Sequence, residues 1–261
     1  MKMMKKITLA VAAVAIAASA GFAQAQEMRK VCVGTEGAYP PFNSVNAAGK
    51  LEGFDIDIAN AICEQAKFKC EFVVQDWDGM IPALLANKFD VIIASMSITA
   101  ERMEKIDFTN KYYNTPPAIA VPKDSKIAGI TDADLKGVQL GAQSSTTHSN
   151  FAEAKLGSAT LKLYPTPDEY KADLVSGRVD AVIDDVVVLS DWIKSDAGSC
   201  CKILGTLTPD DKINGIGAGV GLRKGEDDLK KAINEAIDAV RASGKYKEIN
   251  DKYFAFDVYG G

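Results

Sequence analysis

Histidine is nearly absent from this chain: His148 is the only one in 261 residues. Cysteine is scarce, at five, and never arranged as C-x-x-C. Together these shortages remove the usual imidazole and thiolate metal sites, and neither a metal nor another cofactor is expected. A Ser/His/Asp device is poorly served as well. No G-x-S-x-G elbow surrounds a serine, and no acid stands in an orienting place beside His148, which reads as a loop or helix-surface residue. A G-x-G-x-x-G loop is also missing. Gly215-x-Gly217-x-Gly219-x-Gly221 has the wrong spacing, and Leu222-Arg223-Lys224 does not open a helix, so the segment reads as a strand crossing closely between lobes. Positive charge is in deficit, with 30 Lys and Arg against 35 Asp and Glu. That balance argues against a nucleic-acid partner and suits a cationic guest. After Ala20 no apolar run approaches the roughly 20 residues that a membrane helix needs.

What is present begins with a leader. Met1 to Lys6 is short and basic, Ile7 to Ala20 is apolar and small, and Ala23-Gln24-Ala25 is an A-x-A cleavage pattern. Residues 1–25 therefore read as a secretory signal peptide cut before Gln26. No cysteine follows closely enough for a lipid anchor, so the mature protein is expected to be soluble outside the cytoplasm, in the periplasm. Because residues 1–25 carry Lys2, Lys5 and Lys6 and no acid, cleavage moves the formal charge from -5 to -8. An exported chain meets an oxidising compartment, which favours a local disulfide between Cys63 and Cys70 over two buried thiols. Cys200 and Cys201 are adjacent and bridge only with strain. Cys32, in an apolar strand, reads as core.

Strand and helix patterns alternate along the chain. Strands are predicted over 29–34, 68–74 and 90–94, with a proline-stiffened loop at 35–42 and helices from Gly53 to Ala66 and from Met80 to Asn87. Asp76 to Gly79 reads as a turn that starts the second helix, with an acid near its positive end. A second block repeats the plan: strands at 118–121, 138–142, 161–164 and 180–183, a helix after Ser144 to Thr147, and another over Asp168 to Ser176. A glycine-rich strand near 215–224 and two helices, Asp227 to Ser243 and Lys245 to Phe254, end the chain. Such alternation means an α/β fold with largely parallel sheets, and two similar blocks imply two lobes around a cleft.

Ligands in open α/β sheets bind beyond the carboxyl ends of the strands. Each polar cluster lies at such an end: Glu36 with Tyr39, Ser95 to Arg102, Ser144 to Thr147, and Asp184 with Asp185. Arg102, leaving a hydroxyl-rich strand end with Ser95 and Ser97, offers the planar fork that matches a carboxylate. Asp185 would attract an α-ammonium, with Asp184 the better helix cap. Thr146 and Thr147 open a helix whose amides can cap it or receive a carboxylate. Tyr39 and Trp77 lie in loops and are either core or the walls of a side-chain slot that a cation would favour. Glu36 is either a solvated loop charge or the partner of a cationic head group. The grouping suits a free amino acid that is held rather than transformed.

Read in order, these residues resemble the periplasmic solute-binding proteins of ABC transporters for polar amino acids, nearest the lysine/arginine/ornithine- and histidine-binding group. The motifs that carry the resemblance are Gly53-Phe54-Asp55-Ile56-Asp57, Ser97-Ile98-Thr99 with Arg102, Ser176-Gly177-Arg178-Val179-Asp180-Ala181, and the ending Lys252 to Gly261. The resemblance implies a type II periplasmic-binding-protein fold, a monomer closing on its ligand like a jaw, and a membrane ABC permease as partner. Residues 26–115 and 213–261 would form lobe one, and residues 116–212 lobe two, with crossings near Asn114 to Pro117 and Asp211 to Gly217. Cys63 and Cys70 match that group's disulfide. The resemblance also gives roles: Arg102 with Thr146 and Thr147 on the α-carboxylate, Asp185 with Ser95 and Ser97 on the α-ammonium, Tyr39 and Trp77 flanking the side chain, and Glu36 facing a basic head. Ala94 stands where lysine-type proteins usually carry serine, Glu36 where aspartate is common, and Trp77 where phenylalanine is usual. This pattern also looks like opine-binding relatives. The rival from another class is a periplasmic cyclohexadienyl dehydratase on the same scaffold, which needs a placed general acid.

Overall fold

A computed structural model describes residues 28–260; the leader expected over 1–25 lies outside the described residues. The chain opens with β1 (Lys30–Thr35) and a short meander, β2 (Ala38–Tyr39), β3 (Asn43–Val45) and β4 (Leu51–Glu52). Then come α1 (Phe54–Gln65), β5 (Lys69–Val74), α2 (Met80–Leu85), β6 (Val91–Ile92), α3 (Ala100–Met103) and β7 (Asp107–Tyr113). A second passage holds β8 (Pro117–Pro122), β9 (Gln139–Gln143), α4 (Thr147–Lys155), β10 (Thr160–Tyr164), α5 (Pro167–Val175), β11 (Ala181–Asp185), α6 (Val186–Lys194), β12 (Cys201–Thr206) and α7 (Asp211–Asn214). β13 (Ala218–Leu222), α8 (Asp227–Ala242) and α9 (Lys245–Tyr253) return to the first half.

The strands form two five-stranded sheets, ordered β5-β1-β6-β13-β7 and β10-β9-β11-β8-β12. In the first, β1 runs parallel to β5 and β6, while β13 lies antiparallel between β6 and β7. In the second, β9 runs parallel to β10 and β11, while β8 lies antiparallel between β11 and β12. The antiparallel member of each sheet is the strand that has just arrived from the other half. β8 and β11 sit inside their sheet and read as nearly unbroken buried runs, Pro-Ala-Ile-Ala-Val and Ala-Val-Ile-Asp-Asp, as a strand covered on both faces must. α8 buries Leu229, Ile233, Ala236, Ile237 and Val240, one stripe at helical spacing, against the first sheet and α1. The 2-1-3 order of the parallel strands in each sheet brings the carboxyl ends of β1, β6, β9 and β11 to the space between the halves.

Gly53 fixes the entry to α1. Its φ is +124°, and a Cβ there would meet the carbonyl oxygen of Phe42 at 2.3 Å, so only glycine fits. This backbone approach buries Asp55 in the first turn of α1. The Cys63–Cys70 disulfide then ties α1 to β5, as the sequence led us to expect.

Some elements differ from the sequence reading. The proline loop contains β2, and β3 and β4 follow it; their two- and three-residue strands are too short to show alternation. β7 was not anticipated, because Asp-Phe-Thr-Asn-Lys-Tyr-Tyr mixes charge with burial. Asp76 precedes a short 3₁₀ turn, Trp77–Gly79, and its side chain makes no cap bond.

Candidate functional site

Between the two sheets lies a small cavity. From the first half it is lined by Glu36 and Tyr39 after β1, Trp77 before α2, and Ala94, Ser95, Ser97 and Arg102 after β6. From the second half come Gln143, Thr146, Thr147 and His148, where β9 passes into α4. An adjoining cavity shares Tyr39, Ser95, Ser97, Thr147 and His148 and adds Thr115 and Asp185. The structure thus brings every site residue expected from the sequence to one space, with Asp185 in its second chamber.

The halves are bonded across this space. Gln143 Nε2 donates to Glu36 Oε1 at 2.6 Å, and the Tyr39 hydroxyl donates to Asp184 Oδ1 at 2.5 Å. Trp77 Nε1 and Arg102 Nη2 both donate to the Ser145 carbonyl, at 3.1 and 3.2 Å. The Ser144 hydroxyl donates to Asp78 Oδ2 at 3.0 Å.

Arg102 owes its place to a cap. Thr99 accepts the Arg102 N–H at 3.2 Å and starts α3, which turns the guanidinium back toward β6. Nη1 donates to the Ser97 carbonyl at 3.0 Å, and the guanidinium lies 5.3 Å from the Trp77 ring centroid. Burial lowers its pKa to about 10, so it stays protonated at neutral pH. Its protein partners here are neutral carbonyls and a ring, leaving a buried cation suited to an incoming carboxylate.

Ser95 adopts a left-handed backbone, φ +56°, a conformation that a non-glycine residue keeps only when its surroundings hold it. They do: its N–H donates to the Tyr112 hydroxyl at 3.0 Å and its own hydroxyl to Asp55 Oδ2 at 2.9 Å. Asp55 also accepts from Asn43 and Tyr112, at 2.8 and 2.9 Å. With its proton committed to Asp55, the Ser95 oxygen keeps lone pairs for an ammonium.

At the second half, Thr146 caps α4 in a reciprocal box with Ser149. The first N–H groups of the helix, beginning at Thr147, are the ones a helix start leaves unbonded. The ordinary capping reading and the cavity position hold together.

Two assignments are corrected. Asp184 was expected to be the helix cap, but Asp185 caps α6, accepting the Val187 N–H at 2.7 Å, and also accepts the Thr115 hydroxyl. Asp184 instead accepts from Tyr39 and Tyr170 and faces His148 Nδ1 at 3.1 Å. The reason is that neighbours on a strand point to opposite faces, and Asp184 faces the hydroxyl-lined interior. His148 is not a surface residue. It sits in the first turn of α4, lines both chambers, and burial lowers its pKa. Gln143 and Asp55 were missed altogether. A polar residue at the carboxyl end of a buried strand was the available signal for Gln143.

Among the described residues, neither Glu36 nor Asp185 has a salt-bridge partner, while the buried Lys171 feels the charge of Asp184 and Glu36. Glu36 is 7% exposed, and burial first, then Asp184, Asp76 and Asp78, push its pKa up to about 7 despite the Gln143 amide. Burial likewise raises Asp185 to about 7, against the Thr115 and Val187 hydrogen bonds, with Asp184 adding to the rise. One wall of the space therefore carries a buried cation, Arg102, and the others carry buried acids, Glu36 and Asp185.

The chain has relatives among known proteins. Residues 31–256 match the bacterial extracellular solute-binding proteins, family 3. The chain is 47% identical to an L-arginine-binding protein of Pseudomonas aeruginosa, over 89% of this chain and 90% of that one. It is 39% identical to a histidine-binding periplasmic protein of Salmonella typhimurium, over 99% and 100%. A solved Salmonella typhimurium periplasmic binding protein with high arginine specificity superposes with a TM-score of 0.80 at 34% identity, covering 87% of this chain and 100% of that one. The fold is the type II periplasmic-binding-protein fold, and the chain belongs to family 3 of the bacterial extracellular solute-binding proteins.

Proposed function

We propose that this protein is the periplasmic substrate-binding component of an ABC importer for a cationic L-amino acid, arginine, lysine or ornithine ahead of histidine. The observation that carries the reading is one cavity lined by a buried Arg102, bonded to neutral carbonyls, and a buried Glu36, bonded to a neutral amide. An α-amino acid with a basic head group satisfies both ends at once. Arg102 takes the α-carboxylate, helped by the α4 start at Thr146 and Thr147. Asp185, Ser95 and Ser97 take the α-ammonium. Tyr39 and Trp77 flank the side chain, and Glu36 meets the head group. Lobe two would span residues 116–212, with crossings near Asn114 to Pro117 and Asp211 to Gly217. Ligand touching both lobes selects the closed form, which a membrane permease then receives from the monomer.

The test is calorimetric titration of the ligand-stripped mature protein with arginine, lysine, ornithine, histidine, glutamine, glutamate, nopaline and octopine. Tight binding of the basic amino acids with little binding of glutamate supports the reading; preference for glutamate overturns it. Ala94 lines the cavity in place of a hydroxyl and favours an opine as the second reading, which the same titration separates. The role is binding without turnover, and formation of product from prephenate or arogenate would overturn that. Export is checked by sequencing the periplasmic form, whose first residue is expected to be Gln26.

A further inference from the structure

Cys200 and Cys201 lie outside the cleft, at the end of the turn after α6 and the start of β12, the edge strand of the second sheet. Their sulfurs stand 2.9 Å apart, within about 1 Å of a disulfide bond length of ~2.05 Å. The fold holds them there. The Cys200 carbonyl accepts the Lys123 N–H at 2.9 Å, and the Cys201 N–H donates to the Gly198 carbonyl at 3.0 Å. Cys201 is buried among Ala118, Leu174, Val182 and Leu189, whereas Cys200 is exposed. One thiol is thus open to an incoming reagent, and the other, buried, already lies against it.

We propose that Cys200 and Cys201 form a reversible redox pair, closed to a vicinal disulfide by exchange with a disulfide donor. The Cys200 thiolate attacks one sulfur of the donor, forming a mixed disulfide and releasing one donor thiolate. Cys201 then loses its proton and attacks Cys200 Sγ, forming the intrachain bond and releasing the second donor thiolate. The two cysteines lose two electrons and two protons, and the donor leaves as two thiols. Burial and the neighbouring Cys200 raise the Cys201 thiol, and Cys200 alone of the two is exposed, which makes Cys200 the attacking sulfur and Cys201 the resolving one. Adjacent Cα atoms are only about 3.8 Å apart, short of the roughly 4.4–6.8 Å that a relaxed disulfide spans. The ring is therefore strained and readily reduced, unlike Cys63–Cys70, whose Cα atoms are 6.1 Å apart. The pair is a switch rather than a staple.

The test treats the purified native protein with oxidised glutathione, blocks remaining thiols by alkylation, and digests with trypsin. Cleavage after Lys194 and Lys202 isolates Ser195 to Lys202, which carries both cysteines. The expected peptide is unalkylated and about 2 Da lighter than its reduced form, and a mild dithiol restores it while Cys63–Cys70 persists. In Cys201→Ser, the same treatment is expected to leave a stable glutathionyl group on Cys200. A doubly alkylated wild-type peptide, or a glutathionyl adduct that never resolves, overturns the proposal. So does closure that proceeds faster in urea-unfolded protein than in the native fold.

Discussion

Glu36 and Arg102 hold opposite charges in one cavity, bonded to neutral groups rather than to each other. Each is costly to bury alone, and a ligand relieves both. Arg102→Ala is therefore expected to weaken binding of the preferred basic amino acid by about 2–5 kcal/mol, read by calorimetry; near-wild-type affinity would remove Arg102 from the site. Glu36 makes a pH-dependent case. Its folded pKa, about 7, lies above an unfolded value of roughly 4.3. The folded state thus holds an extra proton between about pH 4.5 and 7, and the ligand-free protein loses stability as pH rises through that window. In Glu36→Gln that loss is removed, so its melting temperature should match wild type near pH 4.5 and exceed it at pH 8. Arginine needs the ionised form, so wild-type affinity should fall from pH 8 to pH 5.5, with a shallower fall in the variant. Equal pH slopes would refute the side-chain role of Glu36. At this scale the sequence exposed residues whose chemistry is unusual where they stand, such as Arg102 after Ser95 and Ser97. It could not rank Asp184 against Asp185, nor seat His148. Which of two neighbours faces inward depends on strands far away in sequence, here those carrying Tyr39 and Tyr170.

At the scale of elements, loops and short helices aim the functional side chains. α1 matters through its first turn, where Gly53 lets the backbone pass Phe42 and Asp55 reaches Ser95. Gly53→Ala is expected to destabilise the fold by about 1–3 kcal/mol through backbone strain and by more through the clash with the Phe42 carbonyl, as measured by urea unfolding. The start of α4 works similarly. Thr146→Ala removes the capping box and should cost about 1–2 kcal/mol of stability, with an additional loss of ligand affinity. An affinity unchanged in a folded variant would confine Thr146 to capping. Long periodic elements such as α1, α8 and α9 were legible in the sequence, because one apolar stripe per helix is a local signal. β7 and β12 were not. β7 carries exposed Asn110 and half-buried Lys111 between buried residues, and β12 is an edge strand with only its first residue fully buried. Their membership is decided by pairing with β13 and β8.

For the whole molecule, the bonds from Glu36, Tyr39, Trp77, Asp78 and Arg102 to the second half make closure a collective state. Adding arginine to ligand-stripped protein is expected to reduce the radius of gyration in solution scattering; identical curves would refute closure by the ligand. Trp77 donates across the cleft to Ser145, so ligand should alter tryptophan fluorescence, and Trp77→Phe should abolish most of that change. The two-block α/β plan was readable from strand and helix alternation. The interleaving of the blocks through β8 and β13 came only from the resemblance, because local pattern does not say which sheet a strand joins.

The middle passage also enters and leaves at one place. The Leu207 N–H donates to the Pro117 carbonyl at 2.8 Å, so the two ends of the segment between them are stitched side by side. Such a segment is an exchangeable cassette. Transplanting 117–207 between relatives would carry Gln143, Thr146, Thr147, His148 and Asp185 as a set, and leave Glu36, Tyr39, Trp77 and Arg102 behind. Ligand preference in this scaffold can therefore be inherited by halves, with new guests arising from recombined jaws rather than from point changes alone.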